Sequence, residues 1–376
     1  MQIKPPEILN RLPSVSDLLE KPPIRALTER WNRSVVAGGV RSFLDELRSD
    51  FERRAAAIPS IRELAERAAR YVVSRQHQDL GVAINATGVI CGPPWIAAPL
   101  AEAALERAVA CGREFVLQSA AEAERSTAGL NSLLCRVSGA PAAAVVHSYA
   151  AAVWIARECE AASIAELGAA PLVDPPSTIG CPWQSAQAAI ASGAPLVAVC
   201  GDGLTGGPAC GIILGSESVV SRITSNSMFA SLRVDPLRIA ALTATIECYD
   251  TPMRGVDTLP VWQLLATSVD NLRNRAERLA AQLAHVEGVL AATAIETRSP
   301  ILASSAGEGW PSYGVALAAT DNNIASLDSR LRSARFPVIG RNEGGRLMID
   351  LRTVLPRQDK AIIDSLLGDT PNPATT

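Results

Sequence analysis

Lysine is nearly absent from this chain: it occurs only at Lys4, Lys21 and Lys360, and the rest of the 35 basic residues are arginine. From residue 22 to residue 359 no side chain carries a primary amine, which excludes lysine Schiff-base chemistry within that span. Histidine is equally sparse. His77, His147 and His285 stand too far apart in sequence to suggest a metal cluster, and a structural or surface role is expected for each. The eight cysteines run from Cys91 to Cys248 without a CxxC pair, so no zinc site or disulfide framework is indicated and reduced core thiols are expected. No run is long and apolar enough to span a bilayer; the longest weakly polar stretch, Gly139 to Ala156, is interrupted by His147, Ser148 and Tyr149. There is no Walker loop and no GxGxxG followed by a distant acid. The start, MQIKPPEILN, lacks the basic and apolar segments of a secretory signal, so a cytoplasmic protein is expected.

What is present describes a rather apolar, alanine-rich globular chain. Of its 376 residues 48% are hydrophobic and 19% charged, a composition that supports a sizeable core. A net charge of −3 argues against a surface that grips nucleic acid everywhere and leaves room for a local basic face. To about Arg75 the chain reads as helical. Val36, Val40, Phe43, Leu44, Leu47 and Phe51 share one face of a 3.6-residue repeat, with Arg41, Asp45 and Arg48 opposite. Ser60 and Glu63 form a capping-box pattern that opens a second helix, IRELAERAARYVV. From Ile84 to about Asp250, short apolar runs alternate with alanine-rich helical stretches, the signature of an α/β sheet with covering helices. A long helix is then expected from about Val261 to His285, followed by an α+β section. In that section YGVALAA reads as a strand, LDSRLRSA as a helix, and PVIGR with RLMIDL as a hairpin.

One stretch concentrates backbone freedom. CGDGLTGGPACG, Cys200 to Gly211, lies between the apolar runs APLVAV and GIILG, so it is expected to be a turn between two buried strands. Its candidate reactive side chains are Asp202, Thr205, Cys200 and Cys210. A cysteine nucleophile would also need a lowered pKa and a nearby base, of which the sequence gives no sign.

Five separated pieces, in order, carry a resemblance. Leu12 to Arg48, INATGVI (Ile84 to Ile90), GDGLTGGPACGIILG (Gly201 to Gly215), LRVDPLRIAALTATI (Leu232 to Ile246) and PVIGRNEGGRLMIDLRTVLP (Pro337 to Pro356) resemble bacterial selenocysteine synthase, the L-seryl-tRNA(Sec) selenium transferase family. The resemblance implies an α/β, fold-type-I pyridoxal-phosphate (PLP) transferase-like fold in a dimer-based assembly. The expected organisation is a helical, tRNA-binding-like domain over 1–78, a shortened PLP-transferase-like domain over 79–255, a small α+β domain over 256–368 and a disordered tail from 369 to 376. The family reaction converts L-seryl-tRNA(Sec) with selenophosphate to L-selenocysteinyl-tRNA(Sec), with PLP as electron sink.

The family turn carries a Schiff-base lysine where this chain has Gly203, so no catalytic residue and no covalently held cofactor are expected. Of three family arginines implied to hold the anionic selenium donor, two are replaced, at Ala97 and Ala230, and only Arg233 remains as a candidate anion contact. A degenerate cofactor site is implied at His147, Ser148, Asp174 and Gly203, with Asp174 matched to the aspartate that pairs with the pyridine nitrogen. Only 21 residues separate Ala152 from Asp174, whereas one βαβ unit needs about 30, so the central sheet is expected to be cut down. Arg41, Arg48, Arg53 and Arg54 are the candidate tRNA contacts. The reading is a non-catalytic relative that binds tRNA(Sec) or an authentic synthase, as a homo-oligomer or hetero-oligomer, without membrane or metal. The alternatives are an enzyme that uses the remodelled cleft through Cys200, Cys210 or His147, and a purely structural homo-oligomer.

Overall fold

Helix after helix in this chain starts at a short polar side chain. Ser14, Ser60, Ser148, Ser185 and Ser268 each accept a hydrogen bond from the backbone N–H three residues on, which satisfies one of the orphan donors at a helix start. Asp235 and Asn323 do the same. The computed structural model describes residues 12–53, 60–76, 81–95, 97–116, 128–159, 163–249, 252–302, 309–320, 323–334 and 336–367. The expected tail from residue 369, Arg54 and His77 lie outside the described residues.

The chain divides into two units, Met1–Val82 and Ala83–Thr376. The first is built from α1 (Val15–Leu19), α2 (Pro22–Thr28), α3 (Arg33–Arg53) and α4 (Ile61–Gln76). Val36, Val40, Phe43 and Leu44 of α3 are buried against Leu64, Ala68 and Val72 of α4, while Arg41, Asp45 and Arg48 are exposed, as the periodicity predicts. The two helices approach closely at Gly39, where a Cβ would lie 2.8 Å from a Val72 methyl.

The second unit opens with β1 (Ile84–Asn85), β2 (Val89–Cys91), α5 (Glu102–Arg113), α6 (Ala128–Ser138), β3 (Ala142–Val146), α7 (Tyr149–Glu158) and β4 (Ala165–Gly168). It continues through α8 (Ala186–Ala191), β5 (Leu196–Cys200), β6 (Gly211–Gly215), α9 (Glu217–Thr224) and α10 (Pro236–Glu247). Strands β3, β6, β5 and β4 form one sheet in that order; β6 is antiparallel to both neighbours and β4 is parallel to β5. Both faces are covered, which is why the strands read as unbroken apolar runs. Val145, Val197, Val199, Ile212 and Leu214 pack with α6, α8 and α10. Their neighbours Ala144, Val146, Leu196, Ala198 and Ile213 pack with α7 and α9. The outer strand β4 is short and carries the ion-paired Glu166. Gly168 at its end adopts φ +56°, with its N–H donated to the Tyr149 hydroxyl at 3.3 Å. A charge, a register shift and a capped N–H all blunt that edge against pairing with another chain.

The remaining elements are α11 (Pro252–Thr258), α12 (Pro260–Ala266), α13 (Val269–Leu283), β7 (Val289–Ser299), β8 (Ile301–Leu302), β9 (Trp310–Ala319), α14 (Ile324–Ser333), β10 (Val338–Ile339), β11 (Arg341–Glu343), β12 (Arg346–Asp350) and α15 (Asp359–Leu367). The sheet β11-β12-β9-β7 is antiparallel and packs on α13, α14 and α15. The single helix expected from Val261 to His285 is instead α12 and α13. Thr267 turns extended at ψ 123° and Ser268 caps the second helix. The buried Arg352 guanidinium donates to the Leu264, Leu265, Thr267 and Pro311 carbonyls, which satisfies the end of α12 where the sequence pattern shows no stop.

Strands β1 and β2 pair with β10 and β8, so the NATG stretch is built into the C-terminal part of the unit. There the fully buried Asp350 accepts from the Ser299 and Ser312 hydroxyls at 2.7 Å each and from Arg352 N–H at 3.0 Å, with Arg341 Nη1 at 3.3 Å. Asp350→Ala would strand these buried donors, and a loss of about 3–5 kcal/mol is expected. Urea unfolding checks it: a midpoint within error of the parent would show that Asp350 does not hold the junction.

Candidate functional site

The stretch from Cys200 to Gly211 is the expected turn, and it is closed on itself. Gly201 N–H donates to the Cys210 carbonyl at 3.0 Å, Gly207 N–H to the Gly201 carbonyl at 2.8 Å, and Thr205 Oγ1 to the Cys200 carbonyl at 2.9 Å. Gly201 and Gly203 to Pro208 are buried. The segment after β4 lies directly on the turn: Leu204 N–H donates to the Ala169 carbonyl at 2.9 Å. A Cβ built on Gly203 would sit 2.6 Å from both Cα and O of Ala169, a distance no real Cβ keeps from a backbone. Position 203 therefore has no room for any side chain.

The same segment fills the space beside the turn. Ala169, Ile179, Cys181 and Trp183 pack on the buried cluster that contains Ile90, Leu204, Leu302 and Trp310. The Trp183 and Trp310 rings stack with centroids 5.8 Å apart and planes 7° from parallel. From the other side the Tyr249 hydroxyl donates to the Thr205 carbonyl at 2.7 Å and accepts from Trp262 Nε1 at 3.0 Å. None of Ala169, Trp183 or Tyr249 stands out in the sequence, because each acts through a contact with a distant segment.

The other residues matched to a cofactor site have structural duties. Ser148 caps α7, and its carbonyl lies 2.3 Å from where a Cβ on Gly211 would be, so helix and strand are in tight contact. His147 N–H donates to the Leu232 carbonyl at 2.9 Å, and its own carbonyl accepts from Arg238 at 2.9 Å. Asp174 accepts from the Ser185 hydroxyl at 2.5 Å, at the start of α8. It lines a pocket of about 110 Å³ with Gln187, Tyr249 and Trp262, among others, and Gly203 is not part of that lining. Arg233 lines a different groove, along β3. Arg41 and Arg48 are exposed on α3, Arg48 at 2.8 Å from Asp45; the Arg53 side chain lies outside the described residues. Of the residues matched to a PLP site, Asp174 thus lines the pocket with Tyr249 and Trp262, Ser148 abuts Gly211 and Gly203 abuts Ala169.

Burial, reinforced by the Asp202 charge, pushes the Cys91 and Cys200 thiols up to about 12 and Cys210 further still, and burial also raises the Asp202 carboxyl. The Cys91 thiol donates to the Asp202 carbonyl at 3.8 Å. Among the described residues no group of three His, Cys, Asp or Glu is placed to hold a metal, and no helix is long and apolar enough to cross a membrane.

The solved structure of D-glucosaminate-6-phosphate ammonia-lyase covers 78% of this chain and 96% of its own at a TM-score of 0.51 and 15% identity. The fold is thus of the class expected from the sequence, the fold-type-I PLP transferases, with a helical N-terminal unit. The chain belongs to the L-seryl-tRNA selenium transferase family, whose profile matches residues 154–355; the profile of the selenocysteine synthase N-terminal region matches residues 9–48. The L-seryl-tRNA(Sec) selenium transferase of Klebsiella pneumoniae is 36% identical over 203 residues, 53% of this chain and 44% of that relative's length. The protein of the same name from Methylocella silvestris is 26% identical over 445 residues, covering 92% of this chain and 94% of the relative. That alignment is longer than this 376-residue chain, so the relative has segments that are missing here.

Gly203→Ala is expected to lower stability by about 1–3 kcal/mol, the usual cost of overpacking, read from the urea midpoint; a neutral result would mean that Ala169 does not sit on the turn. A raised thiol pKa favours the neutral, unreactive form at ordinary pH. Iodoacetamide alkylation of Cys91 and Cys200 in the folded protein should therefore climb about tenfold per pH unit from about pH 8 to about pH 10. A plateau within that window, resolved by peptide mass analysis, would reveal an activated thiol.

Proposed function

We propose that this chain is a non-catalytic member of the selenium transferase family that binds tRNA(Sec) through its helical N-terminal unit. The observation that carries the first half is the 2.6 Å separation between a Cβ on Gly203 and the Ala169 backbone. Where the resemblance puts a Schiff-base lysine, the chain has filled the space with its own main chain and left no lysine anywhere between Lys21 and Lys360. The second half is supported by the match of residues 9–48 to the selenocysteine synthase N-terminal region. It is also supported by the arginines exposed on α3. Arg48 pairs with Asp45 in an exposed salt bridge, an interaction worth about 0–1 kcal/mol that a phosphate can readily replace.

The test is filter binding of the full chain to tRNA(Sec) and to a serine tRNA at two salt concentrations. The expected result is a preference for tRNA(Sec) that weakens with salt, with a slope of log K against log salt of about −2 to −4 for a few phosphate contacts. Arg41→Glu with Arg48→Glu should lower affinity about tenfold or more. Equal binding of the two tRNAs, or charge reversal without effect, would overturn the tRNA reading. Stable attachment of PLP after borohydride treatment would overturn the non-catalytic one.

A further inference from the structure

The two edges of the four-stranded sheet are finished differently. β4 is blunted as described, whereas β3, AAAVV, carries no charge, no proline and no bulge. Its outer side forms the floor of a groove of about 650 Å³ between α6 and α9.

Which backbone groups face the groove is set by the ladder. Gly201 N–H bonds to the Cys210 carbonyl, and in an antiparallel ladder bonded pairs recur at every second position. Val199 with Ile212 and Val197 with Leu214 are therefore bonded, and Gly211, Ile213 and Gly215 of β6 turn their backbone groups to β3. Their partners there are Val146, Ala144 and Ala142. Ala143 and Val145 consequently aim N–H and C=O away from β6, into the groove. His147, next in the same phase, already donates on that side to the Leu232 carbonyl. A buried side-chain atom here, Asn131 Oδ1 on the α6 wall, has no hydrogen-bond partner among the described residues.

We propose that β3 is an acceptor edge for an extended peptide strand, which would lie antiparallel to it between α6 and α9 as a fifth strand of the sheet. The groove's charges choose the peptide. Arg233 stands at the C-terminal end of β3, next to Leu232, and Glu217 stands at the other end, two residues past Gly215, which faces Ala142. No ion pair joins either to another described residue. An antiparallel strand therefore carries an acidic residue at its N-terminal end and a basic one at its C-terminal end. Between them, residues opposite Val145 and Ala143 face the apolar α6 side, and the one opposite Ala144 faces the hydroxyls of Ser221 and Thr224 on α9. The pattern is acidic, apolar, polar, apolar, basic. The proposal stands apart from the tRNA reading, since it concerns only the second unit.

The probe is fluorescein-labelled Glu-Val-Thr-Val-Arg, followed by anisotropy against the full chain. Saturable binding is expected. N-methylation of both valines, which removes the two N–H groups aimed at β3, should weaken it about tenfold, while N-methylation of the central threonine should spare it. Arg233→Glu combined with Glu217→Arg should transfer the preference to Arg-Val-Thr-Val-Glu. These surface changes leave the fold intact, and circular dichroism verifies that. No saturable binding to the parent, or binding indifferent to valine N-methylation and to the charge swap, would overturn the proposal. So would a concentration-dependent dimer abolished by Ala143→Pro, which would give the edge to a second copy of the chain.

Discussion

The buried carboxylate of Asp350 is the point on which the second unit is assembled. It sits at the end of β12 and takes hydrogen bonds from Ser299 on β7 and Ser312 on β9, so three strands of one sheet converge on it. Arg341, from the neighbouring strand β11, reaches it while donating to the Thr87 carbonyl at 2.7 Å. Gly88 approaches so closely that a Cβ there would lie 2.5 Å from the carboxylate. Thr353, three residues on, receives Gly88 N–H and donates to the Asn85 carbonyl. A buried charge without partners would be too costly to keep. The NATG stretch and the RNEGGRLMIDLRT stretch thus need each other, and neither is placed correctly alone.

This junction changes how the family resemblance is understood. Two of the five matching pieces, INATGVI and PVIGRNEGGRLMIDLRTVLP, turn out to be the two sides of one hydrogen-bonded lock. Two others also meet: Arg238, in LRVDPLRIAALTATI, donates to the Ala209 carbonyl in the glycine-rich turn at 3.0 Å. What survives in the sequence is therefore a set of contacts that hold distant segments together. What departs from the family pattern, at Gly203, Ala97 and Ala230, lies where the resemblance implies cofactor and donor chemistry.

Much of the fold was legible because its signals are local. Serine caps, the 3.6-residue stripe on α3 and the doubly apolar strands around Cys200 to Gly211 each declare themselves within a few residues. The break between α12 and α13 was not legible, because the agent that satisfies the end of α12 is Arg352, some 85 residues away along the chain. The site was half legible. A lysine census could show that no lysine lies between Lys21 and Lys360, but not that Ala169 lies against Gly203, since that contact depends on how the segment after β4 folds back. By resemblance Asp174 was matched to the cofactor and Arg233 to the anionic donor; the fold shows Asp174 bonded to Ser185 at the start of α8 and Arg233 lining the groove along β3, contacts that the sequence does not announce.

Shortening and closure are physically linked. With so few residues between α7 and β4, β4 becomes the outer strand, and the segment after it has no further strand to join. That segment must bury Ile179, Cys181 and Trp183 somewhere, and the nearest apolar surface is the one around Leu204 and Trp310. Burial there brings Ala169 onto Gly203, a contact that only glycine permits. A lysine at 203 and the short connection could not coexist, because the side chain and the Ala169 backbone would claim the same volume. Glycine at 203 is then a condition for the shortened domain to close, and the sheet keeps β4 guarded while β3, as proposed, accepts a partner strand.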